Sequence, residues 1–339
     1  MPGTVAVMEW TADVSAGDWM RGRIDDPWCG TMHDVVPRGF EAYARVFHPA
    51  SRDRPHGAAW PDAPYSDDRA WTEFSERHPE LEIETERVTW AQAAAALGTT
   101  MHPLAQWHSL ARFDPLANRE DDPRDTDGWR YHDPSEGALP ADLLASLARV
   151  LARHTRTPDA GGVALWEGWG GLVGHLGIGP SRAFYQASDQ SDAALERHNA
   201  MLVGSVKDVW NNVFRRRTWQ EGILSKEISE GPRLRLPNRD FVLFTGGVSA
   251  FTDEDWVLSV PWRDLESEAH GFPPGAQSPN LIWPADHAWV LVGEIDFDST
   301  IVGGSAELVA ALVADPGLEA AEIPADTVLG YDIPDPLKP

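Results

Sequence analysis

Apolar positions are spread unevenly along this chain. Over 1–135 they recur without a steady period among Pro, Asp, His and Trp, which predicts irregular, loop-rich structure broken by short elements. Residues 43–47 alternate like a strand that ends at His48-Pro49. Residues 70–77 and 89–97 read as short helices, the second with Thr89 as N-cap and Gly98 as its stop. The stretch 118–136 holds seven acidic residues together with Pro123 and Pro134. It reads as a solvated loop and is the candidate boundary between an N-terminal region, 1–135, packed on the body, and a core domain, 136–339, the alternative being a single domain.

Beyond that boundary the periodicity sharpens. Pro140 suits a first helical turn, and Leu143, Leu144, Leu147, Val150 and Leu151 follow at helical spacing. A second helix is predicted over 192–217, with Trp210 on its apolar face and Arg215-Arg216-Arg217 complementing its C-terminal end. Between them, 161–174 is a short apolar strand running into a glycine-rich turn. The runs 241–245 and 288–295 have strand length and are apolar enough for burial on both faces. Ser305 caps a helix over 306–314, and 318–323 returns as a strand. The pattern predicts an α+β fold: a mixed sheet with flanking helices in the C-terminal two-thirds, behind an irregular N-terminal region.

Charge narrows the partners. Asp and Glu number 53 against 28 Lys and Arg, a formal net charge of −25, and a field of that sign repels nucleic acid and anionic membranes. The single cysteine, Cys29, rules out an intrachain disulfide and a cysteine-based zinc site. With no signal-peptide pattern at 1–9 and no run of 18 apolar residues, the expectation is a cytoplasmic protein. Among the aromatics, 16 Trp outnumber 11 Phe and 5 Tyr. Trp serves both thick cores and flat binding platforms. Trp289 reads as core, Trp10, Trp19, Trp28, Trp60 and Trp129 as pins for long loops, and Trp166, Trp169 and Trp283 as ligand-binding candidates beside glycine turns or titratable groups.

Candidate chemistry gathers near 294–301. The motif Asp296-Phe-Asp-Ser-Thr-Ile301, directly after an apolar strand, resembles the opening motif of haloacid-dehalogenase-like phosphatases. The resemblance implies Asp296 as nucleophile and Asp298 as acid/base, at the carboxyl end of a strand. It covers six residues; only 38 follow Ile301, with Lys338 their sole lysine, so the family's downstream lysine and acidic pair have little room. On an extended strand Glu294, Asp296 and Asp298 share one face and offer oxygen ligands to a divalent cation. Glu167 lies at the lip of a Trp166–Trp169 groove, and Asp286-His287 offers an acid/base pair with His287 as the titrating group. No other cofactor is predicted, because the glycines from 166 to 179 match neither the dinucleotide fingerprint nor the phosphate-binding loop. Two function classes follow. One is a non-catalytic binding protein whose acidic, Trp-rich surface engages a protein or small-molecule ligand. The alternative is a hydrolase of a sugar-like or phosphorylated substrate, using a carboxylate pair from Glu167, Glu294, Asp296 and Asp298.

Overall fold

The computed structural model describes residues 8–113, 122–178, 216–237 and 239–329. Its strands in chain order are β1 (Glu9–Trp10), β2 (Ala42–Phe47), β3 (Ala50–Pro55), β4 (Ile83–Val88), β5 (Arg130–His132), β6 (Gly161–Trp166), β7 (His175–Gly177), β8 (Thr218–Gln220), β9 (Leu234–Arg235), β10 (Asp240–Thr245), β11 (Leu281–Pro284), β12 (Val290–Val292), β13 (Ser299–Gly304) and β14 (Ala320–Ile323). Nine of them form one sheet in the order β1-β10-β6-β11-β12-β13-β2-β14, with β9 also on β10. Its pairings are antiparallel. The fold is α+β, as the periodicity predicts.

Both faces of this sheet are covered, because alternate residues of each strand feed two different cores. Val163, Leu165, Val242, Phe244, Ile282, Leu291 and Val302 point toward helix α4 (Ala141–Arg153) and the helix Ala306–Val313. Ala164, Phe241, Leu243, Leu281, Val290 and Ile301 point the other way, onto Met20, Ile24, Met32, Val35 and Val36. The irregular N-terminal stretch is thus the sheet's second cover, held as two 3₁₀ segments, Ser15–Arg23 and Met32–Asp34. Strand β2, from the first 135 residues, lies between β13 and β14 of the main sheet.

A second sheet, β4-β3-β5, packs with helices α2 (Trp90–Leu97) and α3 (Trp107–Ala111) around a third core that contains Trp90, Trp107 and Trp129. Helix α1 (Asp68–Arg77) precedes β4. Thr89 and Gln92 close the expected cap on α2 as a reciprocal capping box, and Gly98 ends it in the left-handed region at φ 68°. Strands β3 and β5 correct the loop reading of their region: their polar side chains pair across strands, Arg52 with Glu86 and Arg130 with Asp53, rather than lining a greasy face. The helix expected over 192–217 lies outside the described residues, apart from Arg216 and Arg217.

Candidate functional site

Several residues singled out by the sequence do meet, at the end of the main sheet where β6 and β12 finish. Trp166 closes β6 and Trp169 follows in the turn, their rings 6.0 Å apart and edge-to-face. Asn280, 2% exposed, ties this corner together. Its Oδ1 accepts from the Trp166 backbone N–H and from the Trp169 indole N–H, both at 2.8 Å, and its Nδ2 donates to the Gly293 carbonyl at 2.8 Å. Arg239 lies with its guanidinium 5.5 Å from the Trp166 ring and donates to Glu294 at 2.7 Å and Asp296 at 3.1 Å. Neither Asn280 nor Arg239 figures among the sequence candidates. The signal available is positional: Asn280 stands directly before the apolar strand β11 and Arg239 two residues before the buried apolar run 241–244 of β10, where a buried strand end has polar groups to satisfy.

The chemistry expected of the acidic residues is altered by their partners. The apolar run at 288–295 is a strand only over Val290–Val292; Glu294 opens a turn in which the Phe297 N–H donates to the Glu294 carbonyl. The shared strand face required for Glu294, Asp296 and Asp298 is therefore absent. Asp298 turns away to the buried Arg45, whose Nη2 donates to it at 3.0 Å, while the same arginine holds Ser299 Oγ and the Ala105 carbonyl. The three carboxylates do not converge as a cation site. Asp296 and Asp298 likewise lack the setting that the phosphatase resemblance implies, since the motif spans a hairpin turn between antiparallel strands. Burial pushes the Glu294 carboxyl up, and Arg239 opposes that shift.

Glu167 accepts from Arg233 Nε at 2.9 Å, and the rest of that guanidinium caps the carbonyl end of the helix Lys226–Glu230. Trp283, expected in a binding site, is 2% exposed and packs in the second core against Gly162 of the neighbouring strand. His287 stacks on Trp19 at 4.6 Å, and burial pushes its ring below the ordinary imidazole range. Its neighbour Asp286 accepts from Thr155 Oγ1 at 2.7 Å and the Arg156 N–H at 2.9 Å, so it braces a turn and does not orient the imidazole.

Two cavities border this corner. One, about 20 Å³, is lined by Asp34, Arg239, Asn280 and Glu294 among apolar side chains and has room for about one water molecule. The other is an open cleft of about 430 Å³ on the far side of Trp169, within the range of small-molecule and side-chain sites. Asp34 also belongs to a cluster in which Asp25, Cys29 and Asp34 bring ligand atoms within 4.8 Å of one another. Arg38 holds Asp25, the Cys29 and Gly30 N–H groups hold Asp34, and the thiol is pushed up by desolvation and the two carboxylates.

No family model, curated protein or solved structure matches this chain. No helix among the described residues is long and apolar enough to cross a membrane.

Proposed function

We propose that this chain is a non-catalytic binding protein of a reducing compartment, the cytoplasm, whose acidic surface attracts a basic protein partner. The observation carrying this reading is the state of the four carboxylates with the best claim to catalysis. Glu167, Glu294, Asp296 and Asp298 each sit on an arginine. A general acid or nucleophile needs its carboxylate aimed at substrate space. Here the space beside Glu294 admits a water and no sugar ring. A net charge of −25 supports electrostatic steering of a cationic partner, an encounter that weakens as salt rises.

The test is a thermal-shift panel containing sugars, sugar phosphates, divalent cations and Lys/Arg-rich peptides. A ligand at about 100 times its Kd adds roughly 2.7 kcal/mol. The expected result is stabilisation by the basic peptides alone, fading with added salt. Hydrolysis of a glycoside or phosphate ester by the purified protein, lost in Asp296→Asn, would replace this reading with the hydrolase.

A further inference from the structure

Strand β4 stands at the end of the smaller sheet and pairs on one side only, with β3. Along an antiparallel strand, each residue turns its N–H and C=O together toward the partner or away from it, in alternation. The His56 N–H donates to the Glu82 carbonyl at 2.8 Å, which fixes the phase. Glu84 and Glu86, two and four residues further on, therefore also turn their backbone groups to β3, opposite Arg54 and Arg52. Pro55, which has no N–H to give, falls opposite Ile83 in the alternate position. The N–H and C=O groups of Ile83, Thr85 and Arg87 thus point outward, and no described residue bonds them. All three residues are exposed.

The side chains narrow what can pair there. Residues 82–86 read Glu-Ile-Glu-Thr-Glu, so Glu82, Glu84 and Glu86 stand on one face. Glu84 gives Oε2 to Arg54 at 2.8 Å and Glu86 gives Oε1 to Arg52 at 2.6 Å. The other oxygen of each, and the whole exposed Glu82 carboxylate, have no partner among the described residues. A second copy of β4 does not fit this edge. Antiparallel pairing sets outward-pointing residues opposite one another, and every register that pairs two or more of Ile83, Thr85 and Arg87 sets glutamate opposite glutamate. A strand with Lys or Arg at alternate positions meets the same ladder with opposite charge, at the positions where cross-strand side chains lie closest.

We propose that the outer edge of β4 takes up an extended basic segment of the partner protein as a fourth strand of the small sheet. The segment runs antiparallel to β4, its main chain bonded to Ile83, Thr85 and Arg87 and its alternate Lys or Arg side chains facing Glu82, Glu84 and Glu86. The assignment rests on the binding-protein reading above and names the surface that holds the partner.

The test uses the full chain and fluorescein-labelled hexapeptides, read by anisotropy up to about 1 mM. They are Thr-Lys-Thr-Lys-Val-Lys, the same peptide N-methylated at both Thr and the Val, and Thr-Glu-Thr-Glu-Val-Glu. Methylation keeps every charge and removes the N–H groups that face β4, so it should weaken binding at least about ten-fold. The acidic peptide should not bind. The plain peptide should slow hydrogen exchange at the Ile83, Thr85 and Arg87 amides, which exchange fast while unbonded. Thr85→Pro removes the central donor of the edge and none that β3 uses, and should weaken the peptide about ten-fold. Glu82→Lys should weaken it about three-fold without lowering the melting temperature, because the native carboxylate has no partner to lose. If Thr85→Pro fails to fold, the methylated peptide and the amide exchange decide. Equal binding of the plain and methylated peptides overturns the edge assignment while the electrostatic reading stands. No binding by either overturns both. A dimer of the chain that Thr85→Pro dissociates puts a second copy on the edge and overturns the proposal.

Discussion

Arg45 is 1% exposed, yet its guanidinium is fully engaged: Asp298, Ser299 and Ala105 accept from it, and its plane lies 4.5 Å from the Phe47 ring and 5.2 Å from Trp90. Breaking a buried pair from one side leaves the other charge stranded. Arg45→Ala should therefore lower unfolding free energy by about 3–5 kcal/mol in urea denaturation. Asp296→Asn should cost less than about 1 kcal/mol, because that carboxylate is 71% exposed. Two histidines respond to acid in opposite senses. The His48 ring donates from Nδ1 to the Ser135 carbonyl, so in its neutral form Nε2 accepts from Thr300. Burial pushes its pKa down. The unfolded chain takes that proton first, so His48's contribution is full above about pH 6.5 and is lost as pH falls below it. His132 has a carboxylate 3.0 Å from each ring nitrogen, Asp53 and Asp122, and its pKa is raised by them. Its contribution is full below about pH 6.5 and disappears as pH rises through the elevated folded value. In urea midpoints measured across pH, His132→Gln should trail the parent on the acid side and meet it on the alkaline side. His48→Gln should flatten the parent's decline below about pH 6.5.

At the scale of elements, the glycine-rich start of β6 exists for its neighbour. Gly162 pairs in register with Trp283, and a methyl there would enter the indole ring. Gly162→Ala should destabilise by at least about 1–3 kcal/mol, the range for overpacked cores, in a thermal melt. Helix α2 shows a different dependence. Its first N–H groups, at Trp90 and Ala91, donate to the Glu319 carboxylate at 2.6 and 2.8 Å, from the far end of the sequence. Glu319→Ala should cost about 0.5–2 kcal/mol, the range for loss of an N-cap. These contrasts explain what could be read from the chain. Elements with a local signature, such as the Thr89 cap and Gly98 stop of α2 or the Leu spacing of α4, are encoded where they stand. Strands β3 and β4 are not, because Arg52, Arg54, Glu84 and Glu86 become a sheet only once paired with each other. The candidate corner was half legible for the same reason. Trp166, Trp169 and Glu294 carry their chemistry in their residue types, whereas Asn280 and Arg239 acquire theirs from strands up to 114 residues away.

For the molecule as a whole, Arg45 pairs with Asp298 and Arg239 with Glu294 below the surface, while acids outnumber bases to a net charge of −25. Self-repulsion among exposed carboxylates destabilises the compact state and is screened by salt. The melting temperature should rise as NaCl is increased from about 10 mM to about 500 mM, across which the screening length shortens several-fold. A fall would mean that the exposed pairs, such as Arg69 with Glu73, contribute more than the repulsion takes away.

The place of Ala42–Phe47 inside the main sheet sets a schedule for biosynthesis. Its two partners are Ser299–Gly304 and Ala320–Ile323, so at ordinary elongation rates this apolar segment leaves the ribosome roughly 10–50 s before either can reach it. Until then the nascent chain must keep a sticky strand unmated. A co-expressed holdase chaperone should raise the yield of native protein, a result set by the order of synthesis and not by the stability of the finished fold.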